Sequence, residues 1–237
     1  MTPKAGRDDL IPGTLYVVST PIGNLEDITL RALKVLEHVT LIAAESRDHT
    51  RKLLSHYGIK TPVTSYNARN QHHKGRLLLD KIKSGLTIAL VSDAGTPGLS
   101  DPGTRLIGEA IHAGIPLVPV PGVSAALTAL SVAGLPTHGF LFVGFLSNKR
   151  GRRRKELESL KEEPCTMVFF ESPHRLIQML NDVHDILGDR DVALAKEMTK
   201  VFEEVRRGPI SGILATLNDE RVRGEYTVVV SGHKARG

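Results

Sequence analysis

The chain has 237 residues, 41% of them hydrophobic and 24% charged, which is the composition of a globular protein with room for one large domain or two smaller ones. No apolar run approaches the roughly 20 residues that a membrane-spanning helix needs. The single cysteine excludes an intrachain disulfide, and we expect a cytoplasmic protein. The formal net charge of +5 permits an anionic partner without requiring one.

In the first half of the chain, short apolar runs alternate with amphipathic helical patterns. The alternation predicts a mainly parallel sheet with helices on both faces. The pattern breaks after residue 133, and a second set of strands and helices follows from Phe140 onwards. We therefore predict two α/β domains, residues 1–133 and residues 134–237. Strands of the first domain are predicted near residues 14–19, 41–44, 62–66, 87–91 and 115–120.

Three loops rich in glycine and proline follow strands of the first domain and lead into helices. They are Ser19–Leu25, Val91–Gly103 and Pro121–Ala125. In open α/β sheets, small ligands bind at the edge where such loops lie. Asp93 adds a carboxylate to that edge, which suits hydroxyl or ammonium groups better than phosphate. The three loops together predict a ligand cleft.

The excess positive charge is concentrated in Lys149–Lys155, where six of seven residues are cationic. A solvated helix start is one interpretation, but adjacent cations repel one another, which favours an anionic partner such as RNA. Aromatic residues make up only 4% of the chain, so stacking on exposed rings is not expected to dominate an RNA contact. The candidate RNA-binding residues are Lys149, Arg150, Arg152, Arg153 and Arg154.

Several chemistries find no support in the sequence. The chain has no Walker A motif, no GxGxxG and no GxSxG nucleophile elbow. The histidine pair His72–His73 has no neighbouring cysteine or carboxylate cluster, so no metal site is predicted. Carboxylates do follow predicted strands, at Glu45, Glu171 and Glu197. Glu171 could act in a site or cap the helix that begins near Pro173.

Five segments, read in order, carry a family resemblance. The chain resembles the ribosomal RNA small subunit methyltransferase I family over residues 12 to 233. The resemblance implies the tetrapyrrole methylase fold, in which two α/β domains hold S-adenosylmethionine in a cleft between them, usually in a homodimer. It also implies 2′-O-methylation of a cytidine ribose in the decoding region of small-subunit (16S) rRNA. The segments are Thr20–Thr29, Ser92–Gly103, Pro121–Ala125, Glu171–Arg175 and Lys196–Lys200.

The resemblance implies the residues that bind the cofactor, and the chemistry of the implied reaction leads to a hypothesis for the catalytic ones. A ribose hydroxyl is a poor nucleophile while it is protonated, so we expect a base, Glu45 or Glu197, to accept its proton. Lys196 or Arg175 is expected to stabilise the developing alkoxide. The residues expected to bind the cofactor are Pro21, Asp93, Gly95, Thr96, Ser124, Ala125, Phe170 and Ala195.

The chain departs from the family pattern at two places. Residues Glu45–Asp48 read Glu-Ser-Arg-Asp where the family usually has Glu-Asp-Thr-Arg. The family's further small helical C-terminal domain is not expected within this sequence. Two alternatives stay open: a methyltransferase acting on a small tetrapyrrole, and a module that binds cofactor and RNA with impaired catalysis. The basic run and the Thr-Pro-Ile-Gly-Asn-Leu segment favour the rRNA enzyme.

Overall fold

The computed structural model describes residues 10–217 and 222–233 and divides between Ser124 and Ala125 into two units. This division lies ahead of the junction predicted after residue 133. The reason is that helix α5 (Ala125–Ala133) packs against strands of the second sheet rather than the first.

The first unit contains one five-stranded sheet in the order β3-β2-β4-β1-β5, and all its strand pairs are parallel, as predicted. Because the strands are parallel, the loops that follow their carboxyl ends lie at one edge of the sheet. The strands are β1 (Leu15–Val18), β2 (Leu41–Ala44), β3 (Val63–Ser65), β4 (Ile88–Val91) and β5 (Leu117–Val120). The helices are α1 (Leu30–His38), α2 (Arg47–His56), α3 (Gln71–Lys83) and α4 (Thr104–His112).

Burial on both faces explains why this sheet forms from continuous apolar runs. Every residue of β4 is buried, as expected for a central parallel strand covered by helices on both sides. Separate apolar clusters lie on the two faces, one packed with α1 and α2 and the other with α3 and α4. Thr29 caps α1 by accepting a hydrogen bond from the Ala32 amide at 3.1 Å.

The second unit contains a five-stranded sheet in the order β6-β7-β10-β8-β9. Strands β6 and β7 are parallel, and the remaining neighbours are antiparallel. The strands are β6 (Phe140–Phe145), β7 (Thr166–Glu171), β8 (Asp191–Lys196), β9 (Glu204–Pro209) and β10 (Tyr226–Val230). The helices are α5, α6 (Arg150–Ser159), α7 (Pro173–Leu187) and α8 (Ile210–Thr216).

The two faces of the second sheet are covered differently. Residues of α6, α7 and α8 form one large apolar cluster with one face of the sheet. Helix α5 packs over β7, β8, β9 and β10. Within the described residues, no helix is both long and apolar enough to cross a membrane.

A buried ion cluster joins α6 to α7. Asp182 and Arg153 have side chains only 1% and 2% exposed, and their ion pair spans 2.7 Å from the guanidinium to Oδ2. Arg154 donates to Oδ1 of Asp182 at 2.8 Å and to Asp185 at 3.0 Å. Burial alone would raise the pKa of Asp182, but the hydrogen bonds from Arg154 and Arg153 outweigh it and leave that pKa below its usual value.

We expect the Asp182→Asn substitution to lower the free energy of unfolding by about 3–5 kcal/mol, because it leaves the Arg153 guanidinium buried without a counter-charge. Urea unfolding at neutral pH measures this loss. Since the folded-state pKa is lowered, the contribution of the wild-type carboxylate is complete above about pH 4 and is lost as the pH falls further.

The matched control is Asp185→Asn, which removes a half-exposed partner of Arg154 and should cost less than about 1 kcal/mol. Equal losses in the two variants would contradict a structural role for the buried pair.

Candidate active site

The loops after β1 and β4 are joined by their backbones. Thr20 and Gly95 form an isolated antiparallel bridge, with N–O distances of 2.9 and 3.0 Å. Gly95 has a φ of +78°, a conformation that side chains disfavour, so glycine is needed at this turn. Pro21 is buried beside the bridge. Two of the predicted cofactor residues, Pro21 and Gly95, therefore lie at the hydrogen-bonded junction of the two loops.

The loop after β5 joins the same group. The hydroxyls of Ser19 and Thr96 lie 2.9 Å apart, and the Thr96 hydroxyl donates to the Val123 carbonyl at 3.4 Å. A Cβ atom on Gly122 would lie 2.9 Å from the Cβ of Ser19, so only glycine allows this approach. The three loops converge, and Ser124, half-buried, ends the third of them.

Carboxylates gather at the same edge. The Asp93 amide donates to Glu45 Oε2 at 3.3 Å, and the Ser46 amide donates to Asp93 Oδ1 at 3.0 Å, so the two loops hold each other. Burial raises the pKa of Glu45, and the charge of Asp93 raises it further against the opposing hydrogen bond. Burial, followed by the charge of Glu45, raises the pKa of Asp101 to about 6. Negative charge in this group is only partly compensated.

In the second unit, two predicted cofactor residues share one row of the sheet. Phe170 and Ala195 both pair with Thr227, one from each neighbouring strand. Side chains in register across a sheet point to the same face, so these three residues form one surface. Ala125 begins α5, the helix that packs over the sheet.

Glu197 is held by its neighbours. Its Oε1 accepts hydrogen bonds from the Glu225 amide and from Lys200 Nζ, both at 2.9 Å. Burial would raise the pKa of Glu197, but these hydrogen bonds and the Lys200 charge leave it below its usual value. Gly224 has no Cβ, and one placed there would lie 2.5 Å from the Glu197 side chain. Glu197 therefore locks a turn and is poorly suited to accept a proton.

The two predicted alkoxide-stabilising cations have other contacts. Lys196 is adjacent to Ala195 on β8, so its side chain lies on the opposite face, where it lines a small cavity of about 70 Å³ with Glu204 and Tyr226. Arg175 pairs with buried Glu171 at 3.2 Å and donates to the carbonyl oxygens of the β6–α6 turn. Glu171 thus anchors Arg175, while Ser172 is the N-cap residue of α7.

The basic run divides into structural and exposed cations. Arg154 is partly exposed, and its Nη1 is shared between Asp182 and Asp185. Arg153 is buried against Asp182, so its guanidinium is not accessible to a phosphate. This finding corrects the inclusion of Arg153 among the candidate RNA-binding residues. Arg150 contacts Asp182 at 3.4 Å with its side chain 71% exposed. The side chains of Lys149, Arg152 and Lys155 are exposed and form no ion pair among the described residues.

Two residues that matter here had no role in the prediction from sequence. Asp101 lies within one of the motif segments, but only the folded loop shows that it lies close to Glu45. Asp182 lies on the apolar face of α7 beside Met179 and Val183. A charged residue on an apolar helical face signals a buried partner, and that signal is present in the sequence.

The fold and the converging strand-end loops define the class of protein. The family model for tetrapyrrole (corrin/porphyrin) methylases matches residues 14–214. Solved structures with this fold include diphthine synthase, with a TM-score of 0.69, 14% identity and coverage of 93% of this chain and 91% of that one. Uroporphyrin-III C-methyl transferase from Thermus thermophilus, complexed with S-adenyl homocysteine, has a TM-score of 0.65 at 20% identity, covering 92% and 97% of the two chains.

Within this class, the chain belongs to the ribosomal RNA small subunit methyltransferase I family. It is 46% identical over 227 residues to Ribosomal RNA small subunit methyltransferase I of Halalkalibacterium halodurans, covering 96% of this chain and 78% of the relative. The protein of the same name from Bacillus subtilis is 45% identical over 227 residues, covering 96% and 77%. The family expected from the motif segments is confirmed.

The raised pKa of Asp101 predicts that its ionised carboxylate destabilises the folded protein. We therefore expect Asp101→Asn to raise the melting temperature at pH 8, where the wild-type carboxylate is ionised. The raised folded-state pKa means that this penalty is complete above about pH 6 and absent below about pH 4. The difference between variant and wild type should vanish at low pH.

Thermal unfolding at pH 4 and pH 8 measures the effect, with Asp80→Asn on the exposed face of α3 as the control. A variant equally destabilised at both pH values would show instead that the Asp101 carboxylate stabilises its loop.

Proposed function

We propose that this protein transfers a methyl group from S-adenosylmethionine to the ribose 2′-hydroxyl of a cytidine in the decoding region of small-subunit (16S) rRNA. The observation that carries the proposal is the 45–46% identity over 227 residues to relatives named Ribosomal RNA small subunit methyltransferase I. The convergence of the three strand-end loops on one edge supports it, because family motif segments form those loops.

The residues of the first unit fit a cationic cofactor. Glu45, Asp93 and Asp101 bring three carboxylates to one edge. Burial and, after it, the charges of neighbouring carboxylates raise the pKa values of Glu45 and Asp101, and a bound cation would offset the repulsion. Gly95 and Gly122 allow the loops themselves to pack closely, since a Cβ on Gly122 would meet Ser19. We propose that Pro21, Asp93, Gly95, Thr96, Ser124 and Ala125 hold the cofactor, with Phe170 and Ala195 contributing from the second unit.

The chemistry that S-adenosylmethionine supplies when bound is an activated methyl group on a sulfonium sulfur. The protein then has to position the ribose and remove the hydroxyl proton. We propose Glu45 as the acceptor of that proton, because burial raises its pKa towards neutrality whereas hydrogen bonds lower that of Glu197. The role left for Arg175 is positioning, since its guanidinium holds the β6–α6 turn. Lys196 is not assigned to the alkoxide because its side chain lies on the other face from Ala195.

We also propose that the chain works in the cytoplasm as a homodimer, the assembly that the family resemblance implies. A small-tetrapyrrole substrate is less favoured, because the solved structures of uroporphyrin-III C-methyltransferase share only the fold with this chain, at 23% and 20% identity.

The direct experiment offers labelled S-adenosylmethionine to small ribosomal subunits that lack the modification, with naked rRNA and a tetrapyrrole in parallel. Label on a cytidine 2′-oxygen is the expected result. Label on the tetrapyrrole would select the alternative enzyme, and cofactor binding without transfer would select the impaired module.

Substitution at Glu45 tests the proposed base. Glu45→Gln keeps an oxygen that can accept the hydrogen bond from the Asp93 amide, but its side chain cannot act as a base. We therefore expect kcat to fall about 10²- to 10⁴-fold. The variant also removes one of the three carboxylates at this edge, so the affinity for S-adenosylmethionine, measured by calorimetry, should fall, but far less than kcat. Glu197→Gln is the control and should keep most of the turnover. Loss of turnover in Glu197→Gln together with normal turnover in Glu45→Gln would reverse the assignment.

The exposed cations of the basic run are proposed to contact RNA phosphates. Replacing Lys149 and Arg152 by alanine should weaken binding to a small-subunit rRNA fragment and flatten its salt dependence. On a single-stranded segment, the slope of log K against log salt should fall by about 0.7 for each phosphate that the variant no longer neutralises. Filter binding between about 50 and 200 mM salt measures the slope.

The control removes the same net charge from the exposed end of α3, with Lys81→Ala and Lys83→Ala. If this control flattened the slope as much, the effect would be one of net charge and the basic run would not be the contact.

A further inference from the structure

Three of the six phenylalanines in the chain form one cluster on the second sheet. The ring of Phe170 contacts those of Phe142 and Phe145, with centroids 5.2 and 5.6 Å away and edge-to-face angles of 68° and 62°. This geometry is the favoured one for aromatic pairs. The aromatic content is therefore low overall but concentrated at the end of β6.

A bulge in β6 creates the cluster. Residues of a regular strand alternate between faces, so Phe142 and Phe145 would lie on opposite sides of the sheet. The register with β7 shifts between Phe142 and Gly144, and Gly144 has a φ of +74°. The extra residue brings Phe145 into register with Phe170 and onto the same face as Phe142.

The Phe145 ring packs against a neighbouring ring but is otherwise largely exposed to solvent. Its side chain packs on Phe170, yet 58% of the residue is exposed. Strand β6 is an edge strand of the sheet, next to β7. Helix α5 packs over the other four strands, β7, β10, β8 and β9. The Phe145 ring packs on Phe170, which is itself packed against Phe142, and its exposed part offers a flat surface that suits another flat ring.

The turn after Phe145 connects this ring to the exposed cations and is itself fixed. Arg175 donates to the carbonyl oxygens of Leu146 and Ser147 at 2.8 and 3.0 Å, and the Ser147 amide donates to Glu156 at 2.9 Å. Lys149 follows four residues after Phe145, so their Cα atoms lie within about 14 Å. Phe145 and the exposed cation Lys149 are thus held close together by contacts within the unit.

We propose that Phe145 is a stacking surface for an unpaired nucleobase of the RNA substrate, with Lys149 and Arg152 contacting the adjacent phosphates. Aromatic rings bordered by cations are the arrangement that binds single-stranded nucleic acid. The proposal rests on the proposed function, since a base on Phe145 would lie next to Phe170, a proposed cofactor contact. A second copy of the chain is the competing occupant, but the neighbouring cations favour a polyanion.

The test uses a short single-stranded RNA of small-subunit rRNA sequence that carries 2-aminopurine beside the target cytidine, a base whose fluorescence falls when it stacks. Wild-type protein should quench the probe. Phe145→Leu keeps an apolar side chain without an aromatic face, so quenching should disappear and affinity should fall about five- to a hundredfold. Phe145→Trp should restore both. Ile111→Ala, at an exposed apolar position on α4, should bind as the wild type does.

Two results would overturn the proposal. One is quenching and affinity in Phe145→Leu equal to those of the wild type. The other is a change of mass in solution, by light scattering, that accompanies loss of binding in Phe145→Leu, which would assign the ring to a subunit contact. Probe binding needs no methyl donor, so the two proposals are tested independently. Failure of the wild type to transfer a methyl group would overturn the proposed function, whereas the quenching experiment would still decide whether Phe145 stacks on a base.

Discussion

Strand β1 lies between β4 and β5 in a fully parallel sheet, and the candidate site depends on that placement. Parallel strands end at one edge, so the loops after these three strands have to share a small space. They share it through the Thr20–Gly95 bridge and the Ser19–Thr96 contact, and Gly122 admits Ser19 because it lacks a Cβ. These short loops can form a candidate site because each begins at the end of a strand, and the sheet holds those strand ends next to one another.

The same crowding brings carboxylates together, which is unfavourable for the free protein. Glu45 and Asp101 have raised pKa values because burial and neighbouring charge oppose ionisation. The Glu45–Asp93 and Asp93–Ser46 hydrogen bonds keep the two loops in place despite the repulsion. A site that holds negative charge in this way gains most from a ligand that carries positive charge, and S-adenosylmethionine has a sulfonium and an ammonium group.

The apolar runs and the glycine- and proline-rich loops were sufficient to predict the parallel sheet and the shared edge of its strand-end loops, and the family was identified from the resemblance of the motif segments. Strand β9 (Glu204–Pro209) carries charged residues and shows no apolar pattern by which the sequence would predict it, because an edge strand need not have one. The opposite faces of Lys196 and Ala195 follow from strand alternation alone, and helical spacing from Leu157 places Arg153 on the buried face of α6. The bulge at Gly144 and the approach of Asp101 to Glu45 depend on loop conformation, which no residue pattern in the sequence specifies.

The basic run shows how folding determines which charges remain for a partner. Six of seven adjacent residues are cationic, but the helical period turns Arg153 towards Asp182 and leaves Arg152 exposed, while Lys149 is exposed just ahead of the helix. Asp182 neutralises the buried charge of Arg153. The exposed cations begin after the β6–α6 turn, to which Arg175 donates hydrogen bonds while it pairs with Glu171. The ion pairs of the second unit therefore do more than stabilise it. They separate structural cations from exposed ones and, through Arg175, fix the turn between Phe145 and Lys149 on which the proposed RNA contact depends.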